Sequence, residues 1–235
     1  MSKRITRALI MLAALLLPAI AAHADQRDTA ITRTQTATRV LSDIMKAPDK
    51  AIPRDLLRDA YAIAVIPNVI KVGLVFGGRH GDGLIAVKSP DGSWSNPVYL
   101  SLTGGSVGFQ AGVSSTDVIL VFRSRRGVDS IVNGKFTIGA EAHAAAGPVG
   151  RNLNASTDIA MQAEIYSYSR SRGLFAGVSL DGAALRIDDD ADAAIYGPGI
   201  TPRRIFEDGV SGVPAPVVHF RDQLEEYSAA GQGGG

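Results

Sequence analysis

Arginines stand in three short clusters along the chain, and their chemistry suits the binding of anionic groups. The planar guanidinium holds two phosphate oxygens at once, so each cluster is a candidate headgroup site. The clusters are Arg123, Arg125 and Arg126; Arg170 and Arg172; and Arg203 and Arg204. A solvated loop that aids solubility has the same composition. Convergence of two clusters on one surface would favour binding, and the sequence leaves this question open.

Two further segments carry groups that bind metal ions or transfer protons. Glu141 and His143 lie two apart on a predicted strand, so they would share a face of the sheet. The acidic run at 188–192 suggests a calcium loop, but that loop needs glycine and glutamate where this chain has Ala193 and Gly199. Neither segment has further ligands at the required spacing, and no serine lies in a Gly-x-Ser-x-Gly motif. We therefore predict no cofactor, no metal site and no enzymatic activity, and a helix-capping turn at 188–192.

Glycine-rich segments at 77–83 and 104–108 could be mistaken for phosphate-binding loops. Neither fits the dinucleotide or P-loop pattern, and a predicted strand follows each of them, so no helix N-terminus would face a phosphate. Tight turns, bulges or close backbone contacts account better for these glycines.

Residues 1–24 have the features of a secretory signal peptide. A basic start precedes the apolar run 8–21, and Ala22-His23-Ala24 is a small-x-small cleavage signal. The apolar run is shorter than the roughly 20 residues that cross a bilayer, so we predict cleavage after Ala24 rather than a retained anchor. The chain has no cysteine, which excludes disulfides and a lipid-modified cysteine.

The charge of the mature chain gives no general attraction to nucleic acid or to anionic membranes. Loss of Lys3, Arg4 and Arg7 leaves 21 of the 24 basic residues against 23 acidic ones. An anionic partner would therefore have to bind a local basic patch, and we predict no nucleic-acid partner.

The segment 25–60 is predicted to form a pair of helices. Apolar or small residues recur every three or four positions between 29 and 46, which indicates an amphipathic helix. Pro48 interrupts the pattern, and Pro53 suits the first position of a short second helix that includes Leu56 and Leu57.

From residue 61 to 198, short β-branched and aromatic runs between glycines indicate antiparallel strands. Closure of so many short strands would remove exposed edges. We predict an α+β fold, mainly antiparallel β, with a barrel-like or two-layer core beside the helical pair. We also predict a helix at 127–133 and a helical stub that ends near 196. The segment 199–235 is predicted to be extended, with a short helix at 219–229 and a glycine-rich tail. The predicted strands are 62–66, 72–76, 83–88, 98–103, 106–114, 117–123, 136–143, 161–169 and 174–180.

Three strings of residues resemble the SYLF family of lipid-binding domains. They occur in the family's order and lie within a region that covers well over half of the mature chain. The strings are Trp94-Ser95-Asn96-Pro97, Ala146-Gly147-Pro148-Val149-Gly150-Arg151 and Tyr166-Ser167-Tyr168-Ser169-Arg170-Ser171-Arg172-Gly173-Leu174-Phe175-Ala176-Gly177.

The resemblance implies binding to membrane phospholipids. Eukaryotic members are associated with phosphoinositides, endocytic membranes and actin. Their lipid contacts are attributed to a basic amphipathic N-terminal helix, which would correspond to 29–46 here. This chain differs in its signal peptide, in lacking an SH3 or zinc-binding module, and in a helix that is only mildly basic. Only the more general property, binding of anionic lipid or of a lipid-like ligand, is carried over. The signal peptide and the lone domain resemble a bacterial protein, and the compartment would then be the periplasm.

Two hypotheses follow. In the first, the protein is a non-enzymatic anionic-phospholipid binder of the cell envelope whose helix inserts its apolar stripe shallowly. In the second, it is a structural or interaction protein whose stripe docks a protein partner or packs on its own core. Oligomeric state is left open. The predicted lipid-binding residues are Arg33, Arg39, Lys46, Lys50, Arg54, Arg58, Arg125, Arg126, Arg170 and Arg172.

Overall fold

The structure is a computed structural model that describes residues 2–47, 52–73, 76–107, 112–134, 136–147, 163–171, 174–177 and 180–229. Its helices are α1 (Ser2–Lys46), α2 (Arg54–Arg58), α3 (Arg125–Val132), α4 (Asp189–Tyr196), α5 (Pro202–Phe206) and α6 (Ala215–Ser228). Its strands are β1 (Ala62–Gly73), β2 (Phe76–Val87), β3 (Val98–Val107), β4 (Gly112–Phe122), β5 (Phe136–Thr137), β6 (Ala144–Ala146), β7 (Ile165–Ser171), β8 (Leu174–Gly177) and β9 (Ala184–Ile187).

One curled sheet forms the centre of the fold. Its strand order is β5-β9-β3-β2-β1-β4-β7-β6, with β8 paired to β7, and every pairing is antiparallel except that of β6 with β7. Phe122 on β4 and Phe136 on β5 lie far apart in this order, yet their ring centroids are 6.1 Å apart. The sheet therefore curls into a half-barrel, and the α+β, mainly antiparallel prediction is confirmed.

The two faces of the sheet bury separate cores because neighbouring side chains on a strand point in opposite directions. The inner face of the curl carries Ala64, Leu100 and Leu120, and α3 packs against it. The other face, here called the helix face, carries Val65 and Tyr99 and is covered by α1, α2 and α6. Each core has its own side of the sheet, so a charge introduced on either side would meet an apolar environment.

Helix α1 lies on the helix face through the stripe that its periodicity predicts. Ala37, Leu41 and Ile44 are fully buried there, and Thr34 is buried beside them. Burial of a leucine or isoleucine side chain contributes about 2 kcal/mol. The N-terminal helical pair is confirmed, although α2 begins at Arg54 and Pro53 is its N-cap rather than its first residue.

Several strand boundaries differ from the predictions. The predicted strand 72–76 spans the end of β1 and the start of β2, and 106–114 spans the end of β3 and the start of β4, because these four strands continue beyond the core. Residues 74–75 and 108–111 of these predictions lie outside the described residues. The predicted strand 136–143 is wrong: β5 ends at Thr137. Strand β9 and helix α5 were not predicted, since each is only four or five residues long.

Among the residues that the structure describes, no helix is both long enough and apolar enough to cross a membrane.

Candidate functional site

A cleft of about 520 Å³ opens at the end of the sheet where β1 begins and where β2 and β4 end. Four cationic side chains line it, and we call it the basic cleft: Lys88, Arg123, Arg125 and Arg203. Three acidic side chains also line it: Asp59, Asp129 and Glu207. Its apolar walls are Tyr61, Val87, Val128, Val132 and Phe206. The cleft has the volume of a small-ligand site and a net excess of one positive charge.

Long-range folding brings these cations together. Lys88 directly follows β2, and Arg123 directly follows β4, so strand pairing places both at one end of the sheet. Helix α3 starts at Arg125 and packs closely against the end of β4. A Cβ atom at Gly127 of this helix would lie only 2.9 Å from the Phe122 ring. The cluster at 123–126 therefore converges with Arg203 of the cluster at 203–204, which the sequence left open.

The charges of the basic cleft are partly balanced within the chain. The Arg125 guanidinium donates from Nε to Asp129 Oδ2 at 3.2 Å, and this hydrogen bond raises the pKa of Arg125. The Lys88 ammonium donates to the Arg58 carbonyl at 2.9 Å and lies 5.8 Å from the centre of the Trp94 ring. Burial lowers the pKa of Lys88, while Asp59 opposes that shift. Burial raises the pKa of Tyr61, so its hydroxyl stays neutral and can donate a hydrogen bond.

The predicted lipid-binding residues fall into three groups. Arg125 lines the basic cleft, and Arg58 lies at its edge, where its carbonyl binds Lys88. Arg126 is 71% exposed on the same helix, with Glu164 at 3.9 Å, and does not line the cleft.

A second group is engaged within the fold. The Arg33 side chain is only 13% exposed and donates to Asp188 at 2.8 Å, with Asp82 at 3.9 Å. The Arg170 guanidinium donates to Asp43 of α1 at 2.5 Å. Both arginines therefore attach α1 to its neighbours.

The third group is exposed but dispersed. Arg39 lines a smaller groove of about 280 Å³ between α1 and α6. Lys46 and Arg54 are exposed at the end of α1 and on α2. Lys50 and Arg172 lie outside the described residues.

The apolar stripe of α1 is not available for shallow insertion in this structure. Ala30, Ala37, Leu41 and Ile44 are at most 1% exposed, and Val40 is 4% exposed. The insertion geometry of the first hypothesis is therefore wrong here, and the stripe packs on its own core, as one form of the second hypothesis expected.

Polar groups join α1, β3 and α4 beneath this stripe. The Thr34 and Tyr99 hydroxyls are 2.6 Å apart, and the Arg33 guanidinium lies 5.6 Å from the Tyr99 ring centre. The Tyr99 N–H donates to Asp192 Oδ1 at 2.8 Å, while Asp192 Oδ2 is buried without a hydrogen-bond partner. Burial raises the pKa of Asp192 to about 8, with a smaller contribution from Asp188. The Asp192 carboxyl is therefore protonated at neutral pH.

The other candidate sites have structural roles. Glu141 and His143 do not share a strand: Glu141 Oε2 accepts the Thr137 N–H at 2.6 Å, and His143 is exposed. The Asp188 side chain caps α4 by accepting the Ala191 N–H, which confirms the capping prediction for the acidic run. Among the described residues, no group of three acidic or histidine side chains could hold a metal ion.

Segments 77–83 and 104–107 lie within β2 and β3. A side chain at Gly83 would approach the Val65 carbonyl to 2.4 Å, and one at Gly81 would lie 2.8 Å from Cγ2 and 3.0 Å from Cα of Val69. Close contact with β1 therefore explains these two glycines.

The strings that resemble the SYLF family also support the fold. Trp94 donates from Nε1 to the Ser228 hydroxyl at 2.8 Å and so ties α6 to the sheet. A side chain at Gly147 would overlap the Tyr168 ring, whose nearest atom would be 2.2 Å away. Tyr166 and Tyr168 are both buried on the helix face, which favours core packing of their rings over lipid contact.

Three cations of the cleft were missing from the predicted lipid-binding set: Lys88, Arg123 and Arg203. Lys88 is a single lysine before the Pro90-Asp91-Gly92 turn and belongs to no cluster. Arg123 and Arg203 stood in clusters recognised as candidate headgroup sites but were not included in the set. A usable signal was the position of Lys88 and Arg123 at the ends of predicted strands, although strand order was needed to bring them together.

Comparison with known proteins places this architecture in a family. Residues 103–227 match the family model described as "Ysc84: Las17-binding protein actin regulator". The chain is 32% identical to LAS seventeen-binding protein 3 of Saccharomyces cerevisiae over 81% of this chain and 43% of the relative. It is 34% identical to SH3 domain-containing YSC84-like protein 1 of Mus musculus over 72% of this chain and 49% of the relative.

The human protein of the same name is 37% identical over 59% of this chain and 40% of the relative. The chain thus spans less than half the length of these curated relatives. The relatives are named as binding or regulatory proteins, and no enzyme family is indicated. The matched residues include the strings at 146–151 and 166–177. This chain therefore belongs to the Ysc84 (SYLF) family.

Proposed function

We propose that this protein is a non-enzymatic binder of anionic phospholipids and that the basic cleft holds the lipid headgroup. The observation that carries the proposal is the convergence of Lys88, Arg123, Arg125 and Arg203 on one cleft. Arginine and lysine supply the paired hydrogen bonds and positive charge that phosphate oxygens require.

The apolar walls of the basic cleft favour an amphipathic ligand over free phosphate. Val128, Val132 and Phe206 lie beside the cations, so the first carbons beyond a headgroup would contact apolar side chains. The acidic neighbours Asp129 and Glu207 limit the net charge. Binding should therefore be moderate in affinity and should weaken with salt.

A cell-envelope location is part of the proposal. The basic start, apolar run and cleavage signal of residues 1–24 support export to a bacterial periplasm. Ala24, Asp25 and Gln26 are exposed, whereas Arg27 donates to the Ala194 carbonyl of α4 at 2.9 Å. Cleavage after Ala24 would thus preserve the contacts that attach α1 to the core.

The test is co-sedimentation of the chain from Asp25 to Gly235 with vesicles. Vesicles of phosphatidylcholine alone are compared with vesicles that also contain phosphatidylglycerol, at low and at moderate salt. We expect binding to the anionic vesicles only, and weaker binding at moderate salt. The cleft variant Arg125→Glu/Arg203→Glu should lower this affinity by at least about tenfold, since each lost cation near a membrane contributes about 1 kcal/mol.

Neighbouring residues provide a matched control with the same charge change. Arg126 follows Arg125 and Arg204 follows Arg203, but neither lines the basic cleft. The control Arg126→Glu/Arg204→Glu should keep most of the affinity. Equal losses in both double variants would indicate diffuse electrostatic attraction and overturn the cleft as the headgroup site.

A protein partner is the second candidate function. Relatives are named Las17-binding proteins, which favours protein recognition by this domain. Because the α1 stripe is buried, such a partner would dock on another surface. Absence of binding to either vesicle type would favour this second candidate.

A further inference from the structure

The end of the sheet opposite the basic cleft projects beyond the core. We call it the sheet tip: residues 70–73 of β1, 77–80 of β2, 103–105 of β3 and 112–115 of β4. Along β1 burial ends after Val69, and along β4 it begins only near Val118. A bulge at Asn68, with φ of 52°, separates the buried and projecting parts of β1.

The sheet tip carries the large apolar side chains that are exposed in the described residues. They are Ile70, Val72 and Val113, with exposures of 48%, 51% and 74%. Val72 pairs with Val113, and Ile70 lies two residues before Val72 on β1. All three therefore point to the same side of the sheet and form one aliphatic patch.

Glycines border this patch and leave it open. Val72 pairs with Gly78, and Gly78 pairs with Gly105. A Cβ atom built on either glycine would meet no atom within 4 Å. The opposite side of the tip differs, since a Cβ on Gly104 would lie 2.9 Å from Ala183. Among the residues that the structure describes, the patch is thus the uncovered side of the tip.

The sheet tip includes no acidic residue, and its charged or titratable side chains are Lys71, Arg79 and His80. Lys71 and Arg79 pair with each other and lie on the side opposite the patch, whereas His80 lies on the patch side, 3.6 Å from Asp82. Burial lowers the pKa of Arg79, and Asp181 opposes that shift, which leaves Lys71 as the exposed cation of the tip. An end-on approach would bring the aliphatic side and the Lys71 side of the tip to the interface of an anionic bilayer together.

The sheet tip and the basic cleft lie at opposite ends of the same strands. Tyr61, at the cleft, directly precedes β1, and Val72 lies ten residues beyond Ala62 on that strand. At about 3.3 Å per residue this separation is roughly 33 Å, so a bilayer that meets the sheet tip end-on leaves the basic cleft roughly 33 Å away, free for a second bilayer.

We propose that the sheet tip inserts Ile70, Val72 and Val113 into the surface of an anionic bilayer. Together with headgroup binding at the basic cleft, on which this second step rests, the tip lets one molecule bridge two bilayers. The molecule is then a tether, with an apolar and basic contact at one end and a headgroup site at the other.

The experiment mixes two populations of phosphatidylcholine–phosphatidylglycerol vesicles that carry donor and acceptor dyes. Energy transfer reports bridging, and sedimentation reports binding to single vesicles. We expect the wild type to bridge. The tip variant Ile70→Ser/Val72→Ser/Val113→Ser should lose bridging and bind about tenfold more weakly, through the cleft alone. The cleft variant Arg125→Glu/Arg203→Glu should also lose bridging while retaining the binding that depends on the tip.

Gly78 supplies a gain-of-function test that does not depend on the stability of the triple variant. Gly78→Leu adds an aliphatic group to the open patch and should strengthen vesicle binding by about fivefold, whereas Gly78→Ser should leave it unchanged. Equal binding by Gly78→Leu and Gly78→Ser would overturn insertion of the tip.

The remaining outcomes separate the two proposals. If the tip variant binds like the wild type but the cleft variant does not, the tip inference fails and the cleft stands. If only the tip variant loses binding, the cleft proposal fails instead. Light scattering of the protein without vesicles should show a monomer, and a dimer that the tip variant dissociates would assign the patch to a second copy of the chain.

Discussion

The arginines at the α1 interface and those at the basic cleft differ in what they contact. Arg33 and Arg170 are 13% and 29% exposed, and each donates to a carboxylate on a different element. Arg125 is 67% exposed, and its acidic neighbour Asp129 lies on the same helix. Residue type alone therefore does not identify a ligand site, because the same guanidinium either attaches a helix to the fold or lines an open cleft.

The largest expected effect tests whether the α1 stripe belongs to the core. Leu41→Asp introduces a charge at a fully buried position. We expect a loss of at least about 4 kcal/mol in the free energy of unfolding, measured by chemical denaturation. Arg39→Asp, two residues away on the exposed side of α1, is the control and should stay within about 0.5 kcal/mol of the wild type. A stable, folded Leu41→Asp would mean that the stripe is free to bind lipid.

A smaller effect, dependent on pH, is expected from Asp192. Because its folded pKa of about 8 lies above its ordinary value of 3.8, the folded state holds a proton that the unfolded chain releases. The free energy of unfolding contributed by this group is complete below pH 4 and falls as the pH rises towards 8. Asp192→Asn should remove this pH dependence. As the pH rises from 5 to 8, the free energy of unfolding of this variant should therefore increase by at least about 1 kcal/mol relative to that of the wild type.

Parallel stability curves of the wild type and Asp192→Asn across that range would contradict a protonated carboxyl. Asp188→Asn is a useful comparison, because Asp188 also caps α4 and binds Arg33. Its loss should destabilise the protein at neutral pH, which is the opposite sign to that expected for Asp192→Asn.

Removal of the Arg33 guanidinium should cost less. Arg33→Ala breaks the hydrogen bond to Asp188 and the contact with the Tyr99 ring. We expect a loss of about 1 to 2 kcal/mol in stability, with vesicle affinity unchanged. A loss of vesicle affinity without a loss of stability would return Arg33 to the lipid-binding residues and remove the contrast with the cleft.

The smallest effect on stability is expected at the basic cleft itself. The exposed ion pair between Arg125 and Asp129 contributes little, so Arg125→Gln should leave the free energy of unfolding close to that of the wild type in chemical denaturation. Its affinity for anionic vesicles should fall several-fold. A large loss of stability with intact vesicle binding would place Arg125 in the same structural class as Arg33.

Local patterns predicted much of the fold because they act over a few residues. Local patterns predicted the periodicity of α1 and α3 and the capping of α4 by Asp188. Strand ends were less accurate, because strands β1 to β4 continue past the core, where burial no longer marks the boundary. Glu141 was misplaced because a turn directs its carboxylate back to the Thr137 N–H.

The basic cleft could be predicted only in part. Arg125 was named from its cluster, but the cleft cations Lys88 and Arg203 come from segments 37 and 78 positions away in sequence. Whether an arginine is paired depends on the same long-range contacts, as Arg170 and Asp43 show across 127 positions. Such contacts follow from strand order and helix docking, which no local pattern specifies.

Hydrogen–deuterium exchange of the vesicle-bound protein tests the central claim most directly. With phosphatidylglycerol-containing vesicles we expect added protection in α3 and α5, which carry Arg125 and Arg203, and little change along α1. Vesicles of phosphatidylcholine alone should give no protection at these helices. Added protection confined to α1, with α3 and α5 unchanged on anionic vesicles, would contradict the basic cleft as the lipid-binding site.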